Sequence, residues 1–201
     1  MIKTIFFDLG NVLVDFDWKA SAIKIADHAA RSPEEVYHLC SGSEIARKYE
    51  CGMITTAFFF ETLKDEIGFK LTAEELHGLW SDIFTLNEKN VAVLDKIRKI
   101  YPVGLISNTN EAHVHWIEKQ FGFLAWFPHP TYSYFEGCMK PRKEIFLSAL
   151  TALSVTAKES LFIDDLDSNV LAARELGMQA IHLSPEKDLE LELKKFDVKV
   201  I

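Results

Sequence analysis

Short apolar runs that stop at polar turn residues alternate along the chain with longer stretches whose apolar positions recur every three or four residues. Residues 3–7, Lys-Thr-Ile-Phe-Phe, are β-branched and aromatic and end at Asp8-Leu9-Gly10-Asn11, a turn-type cluster. Similar runs occupy residues 103–106 before Ser107-Asn108, 161–163 before Asp164-Asp165, and 180–183 before Ser184-Pro185. Between them, Val91, Leu94, Ile97 and Ile100 fall at steps of three, and residues 141–153 and 167–176 carry comparable stripes, the latter ended by Gly177. Strands alternating with helices predict an α/β core, a mostly parallel sheet between two helical layers.

Residues 16–86 break the alternation, with several helix signals and no convincing strand. Ser32-Pro33-Glu34-Glu35 and Thr72-Ala73-Glu74-Glu75 read as capping boxes, the first with proline at the opening helical position. Phe59, Phe60, Leu63 and Ile67 mark one side of a further helix. The pattern predicts a core of residues 1–15 and 87–201 with a small helical insert, 16–86, after the first strand. No repeat or Gly/Ser linker interrupts it, so the insert is expected to pack onto the core.

Composition narrows the classes. The 201 residues are 48% hydrophobic and 26% charged, as in an ordinary folded protein. A formal charge of -8 argues against a nonspecific grip on nucleic acid or anionic membrane. The apolar N-terminus is cut by Asp8 and Asp15, short of the roughly 20 residues a membrane span needs, and lacks a signal-peptide cleavage pattern. Cys40, Cys51 and Cys138 are odd in number and have no metal-type spacing, which reads as reduced thiols. A cytoplasmic protein is expected. Nothing in the sequence fixes its oligomeric state.

In an open parallel sheet, ligands bind beyond the carboxyl ends of the strands. Those ends carry Asp8, then Ser107 with Asn108, then Asp164 with Asp165. The topology can bring Asp8 and Asp164 together, where two carboxylates about 4 Å apart repel by about 4 kcal/mol at an effective dielectric near 20. Something positive should therefore lie between them. Magnesium, a hard cation that takes oxygen ligands, is the natural candidate.

The ordered set Asp8-Leu9-Gly10-Asn11-Val12, Ser107-Asn108-Thr109, Lys140-Pro141 and Asp164-Asp165-Leu166-Asp167-Ser168-Asn169 resembles the four motifs of the haloacid dehalogenase-like hydrolase superfamily. Its details look like the phosphatase branch that includes bacterial α-glucose-1-phosphate phosphatases, and Glu50-Cys51-Gly52-Met53-Ile54 resembles a Glu-x-Gly-x-Ile pattern of their caps. The resemblance implies a Rossmann-like three-layer core, a helical cap over residues 16–86, and hydrolysis of a small phosphorylated metabolite such as a sugar 1-phosphate. It makes Asp8 the nucleophile of an aspartyl-phosphate pathway. Mg2+ would be held by Asp8, the carbonyl of Gly10 and Asp164, with Asp165 supporting. Ser107, Asn108 and Lys140 would bind phosphate, Lys140 also neutralising the nucleophile.

One position departs from the pattern: phosphatases of this superfamily mostly carry an acid/base aspartate where this chain has Gly10. A general acid is typically worth about 100- to 10,000-fold. Asp15, Asp17 or a metal-bound water could substitute, or the ester could leave without help, as an anomeric oxygen would. The same gap keeps two other readings open: a metal-free haloacid dehalogenase, and a non-catalytic phosphate-ester-binding regulator. Of the remaining residues, His113 and His115 read as a solvated or partly packed helix surface, the Phe58-Phe59-Phe60 run as insert core, and Glu44, Arg47 and Glu50 as a charged outer face. A place for Arg47 at the substrate is the alternative.

Overall fold

A computed structural model of the protein describes residues 1–200. In chain order the strands are β1 (Thr4–Phe7), β2 (Val14–Phe16), β3 (Phe84–Leu86), β4 (Val103–Ser107), β5 (Thr131–Tyr132), β6 (Ser160–Asp164) and β7 (Gln179–His182). Five of them form one sheet in the order β5-β4-β1-β6-β7, with every pairing parallel. β1 is central, with Phe7 opposite Leu105 on one side and Ile163 on the other.

Helices α1 (Trp18–Ala26), α2 (Pro33–Ser41), α3 (Glu44–Glu50), α4 (Thr56–Ile67) and α5 (Ala73–Ser81) follow β2. The core helices are α6 (Glu88–Ile97), α7 (Glu111–Phe121), α8 (Ser133–Glu136), α9 (Lys143–Ala152), α10 (Asp167–Glu175) and α11 (Leu189–Lys194). Side chains of β1 alternate between two layers, as the pleat demands. Ile5 and Phe7 join an apolar cluster with Val91, Leu94 and Ile97 of α6 and Ile117 of α7. Phe6 joins the opposite one, with Phe146 of α9 and Val170 and Ala173 of α10. Burial on both faces is why β1, β4 and β6 read as continuous apolar runs rather than alternating ones. The result is the three-layer α/β fold expected from the sequence.

The helices between β2 and β3 enclose an apolar cluster of their own, built on Ile25, Val36, Tyr49, Phe59, Phe60, Leu63, Ile67 and Trp80. Of the phenylalanine triplet, Phe59 and Phe60 lie inside it and Phe58 is exposed. Both capping boxes are present, Ser32 with Glu35 and Thr72 with Glu75. Residues 16–86 are nevertheless not free of strand: β2 and β3 pair antiparallel, Val14 opposite Leu86 and Phe16 opposite Phe84. This ribbon crosses the first expected boundary, between residues 15 and 16, and ends at the second, Leu86; its short strands pair with partners about seventy residues away rather than with a hairpin neighbour. The edge strand β5, two residues long, was likewise not anticipated. No helix among the described residues is long and apolar enough to cross a membrane.

Candidate active site

β1 and β6 are neighbours in register, so the residues at their carboxyl ends meet. The amide of Asp8 donates to the carbonyl of Ile163 at 2.8 Å, holding the two strand ends together. Lys140 reaches between their carboxylates: its Nζ lies 2.6 Å from Asp8 Oδ1 and 2.7 Å from Asp164 Oδ2. Asn108 fixes the lysine by both backbone groups, its Oδ1 accepting from Lys140 N at 2.7 Å and its Nδ2 donating to Lys140 O at 3.0 Å. The Asn108 side-chain amide is thus committed to the lysine backbone, next to the buried Ser107.

Asp164 is fully enclosed and hydrogen-bonded on both oxygens. Oδ1 accepts from the Leu166 amide at 2.8 Å and Asn169 Nδ2 at 3.0 Å, and Oδ2 from Asn169 at 3.1 Å as well as from Lys140. Asn11, at a φ of 53° in the turn after Asp8, donates to Asp165 Oδ2 at 2.8 Å and ties the first loop to the fourth. Asparagine tolerates that left-handed conformation better than most residues. Asn11 and Asn169 were visible within the sequence motifs, but their partners were not.

Carboxylate oxygens of Asp8, Asp164 and Asp165 gather within 4.8 Å of one another. Among the described residues Lys140 is the ammonium that contacts this group, so with all three acids ionised its formal charge is -2. Burial pushes the Asp8 carboxyl up to about 7; Lys140 opposes the shift and Asp164 adds to it. Burial works against the charge of Lys140, but Asp8 and Asp164 outweigh it and the lysine sits above its ordinary value. Asp165 is also raised, by burial first, with the Asn11 hydrogen bond opposing. An all-oxygen donor set with this surplus of negative charge fits a hard divalent cation such as Mg2+.

Beside this cluster is a small cavity of about 110 Å³, lined by Gly10, Phe16, Trp18, Phe84, Ser107, Asn108 and, from the end of α3, Glu50. Glu50 is therefore not on the outer face expected from its spacing with Glu44 and Arg47. The turn at residues 50–52 packs on the core: Ser133 Oγ donates to the Glu50 carbonyl at 2.7 Å, and a Cβ on Gly52 would stand 2.0 Å from the Tyr134 carbonyl oxygen. Burial alone pushes the Glu50 carboxyl up to about 7. Arg47 is exposed and donates to the Gly42 carbonyl at 3.0 Å. His113 also departs from the surface reading: it is buried, stacked on Trp80 at 3.9 Å, while His115 is exposed. The only sequence hint for Glu50 was the Glu-x-Gly-x-Ile pattern; for His113 there was none.

Comparison with known proteins decides the family. The haloacid dehalogenase-like hydrolase profile matches residues 2–177. The chain belongs to the haloacid dehalogenase-like hydrolase family. Within it, the chain is 33% identical to a D-ribitol-5-phosphate phosphatase from Bacteroides thetaiotaomicron over 96% of its own length and 97% of the relative's. It is 32% identical to a glyceraldehyde 3-phosphate phosphatase from Pyrococcus abyssi, covering 90% of this chain and 81% of that one. Among solved structures it resembles a wild-type haloacid dehalogenase family enzyme from Bacteroides thetaiotaomicron in complex with magnesium and inorganic phosphate. The TM-score is 0.84 at 26% identity, with 96% of this chain and 99% of the other covered. The haloacid dehalogenase-like fold thus extends over nearly the whole chain, helical segment included.

Proposed function

We propose that this chain, a phosphatase of the haloacid dehalogenase-like family, uses magnesium to hydrolyse the phosphate ester of a small sugar or polyol. The reading rests above all on Lys140, whose ammonium lies between the carboxylates of Asp8 and Asp164. Asp8, Asp164 and the carbonyl of Gly10 would hold Mg2+, supported by Asp165. When bound, the ion supplies Lewis-acid polarisation of the phosphoryl group and neutralises local charge. In this reading an oxygen of Asp8 attacks phosphorus, the alcohol departs, and water then releases phosphate from the aspartyl-phosphate. Lys140 balances the nucleophile and the incoming phosphate, while Ser107 and the Asn108 N–H donate to phosphoryl oxygens.

Both named relatives act on esters of primary alcohols, so esters of that kind lead the expectation here, with sugar 1-phosphates as the second group to test. The helices of residues 18–81 serve as the cap that closes over the substrate. Three free cysteines fit a reducing, cytoplasmic setting. A metal-free dehalogenase is disfavoured, because the three clustered carboxylates would repel a haloacid's own.

The test is phosphate release across a panel of sugar and polyol phosphates, with magnesium or with chelator, in the wild type and in Asp8→Asn. Turnover that needs magnesium and disappears in the variant is expected. Chloride release from a 2-haloacid in chelator, or specific ester binding without turnover, would replace this reading with another.

A further inference from the structure

Gly10 leaves the site without an acid on the loop after β1, and in this structure the ring of Phe16 crowds the space a side chain there would take. A Cβ at residue 10 would stand 2.8 Å from Cε1 of Phe16, whose ring, carried by β2, covers the position. Successive residues of a strand point to opposite sides. With Phe16 turned toward the cavity, Asp15 is turned away from it, lining instead a cleft of about 490 Å³ with Asn11, Lys89 and Asp165. Asp17 is occupied as the cap of α1, accepting from the Ala20 amide at 2.9 Å. His113 reaches the cavity, but burial pushes it down to about 3, leaving it without a proton to give near neutrality.

One acid remains on the cavity wall. Glu50 shares it with Gly10, Ser107 and Asn108 and with the aromatic residues Phe16, Trp18 and Phe84. The space is small, about 110 Å³, and Glu50 is part of its wall. No charged side chain among the described residues pairs with Glu50, and its backbone is held on the core by Ser133. It is a positioned acid with no structural partner.

We propose that Glu50, delivered by the helical segment, is the acid/base of this site in place of the side chain missing at residue 10. The proposal rests on the phosphatase reading above. As Asp8 oxygen bonds to phosphorus and the ester P–O bond breaks, the Glu50 carboxyl gives its proton to the leaving oxygen, releasing the alcohol. The Glu50 carboxylate then takes a proton from the water that attacks phosphorus, so that the Asp8–phosphorus bond breaks, inorganic phosphate leaves and both carboxyl groups return to their starting forms. Its raised affinity for the proton suits it to both steps.

Glu50→Gln keeps the shape and the hydrogen-bonding reach but cannot transfer the proton. Rapid-mixing kinetics should compare p-nitrophenyl phosphate, whose leaving group needs no proton, with an ester of a primary alcohol such as glycerol phosphate. In Glu50→Gln the nitrophenolate burst is expected to persist within about threefold, followed by slow turnover and phosphoenzyme detectable by mass. Phosphorylation by glycerol phosphate should fall by about 100-fold or more. Equal losses on both esters at an unchanged melting temperature would overturn the proposal, as would full activity on both. Absence of Asp8-dependent turnover in the wild type would sink the phosphatase reading itself, and this assignment with it.

Discussion

At the scale of the residue, Lys140 is the counterweight of the site: its side chain is about 1% exposed and touches two carboxylates. Removing one partner of a buried charge network typically costs about 3–5 kcal/mol, because the remaining charges are left uncompensated. Lys140→Met is therefore expected to unfold at lower urea in chelator, and millimolar magnesium should restore stability to the variant by more than it adds to the wild type. An equal magnesium effect in both proteins would mean that the ion is not held by these carboxylates. The residues of this cluster were legible in the sequence because parallel strands converge at their carboxyl ends, where Asp8, Ser107 and Asp164 stand. The amides that fix them were not: whether Asn108 faces phosphate or Lys140, and whether Asn169 reaches Asp164, depends on side-chain direction across loops distant in sequence. Glu50 was misjudged for the same reason, since a spacing of three defines a helix face but not which way that face turns.

At the scale of the element, the parallel strands were readable from their continuous burial, whereas the ribbon of β2 and β3 was not. Val14-Asp15-Phe16 buries only its first residue, so its pattern carries no period, and its partner lies beyond five helices. The two-residue β5 is too short to carry any pattern at all. The turn after α3 shows how an element delivers a side chain. Gly52 has a φ of 65° and no room for a Cβ against Tyr134. A non-glycine residue forced into that region costs about 1–3 kcal/mol before any clash. Gly52→Ala should lower urea stability by at least that order and loosen the Ser133 contact to the Glu50 carbonyl. Glycerol phosphate turnover should then drop further than the nitrophenolate burst, as in Glu50→Gln; a variant with wild-type stability and kinetics would show that the close approach is not needed.

At the scale of the molecule, two apolar clusters meet at His113. Trp80 of α5 stacks on its ring at 3.9 Å, Phe84 of β3 meets it edge-on at 4.9 Å, and Trp18 of α1 lies at 5.4 Å. Asn110 Nδ2, 3.1 Å from His113 Nδ1, anchors the ring to its own helix. Burial, reinforced by the neighbouring His77, pushes His113 down to about 3, so the folded protein keeps it neutral while the unfolded chain binds a proton below about 6.5. Between those values the unfolded state holds the extra proton, and stability falls as pH falls, by up to about 1.4 kcal/mol per unit from this residue. Asp8 and Glu50 act in the opposite sense: with their carboxyls raised to about 7, their contribution is full below the ordinary carboxyl range and is lost as pH rises from there to about 7. The wild-type profile mixes the two, and only a difference separates them. His113→Phe keeps an aromatic ring between Trp80 and Phe84 and removes the titration. Urea denaturation at pH 7 and 5.5 should show the wild type losing about 1 kcal/mol more than the variant on acidification. Identical losses would mean that His113 takes up its proton without leaving the junction, and the helical segment and the sheet would then not be joined through a neutral histidine.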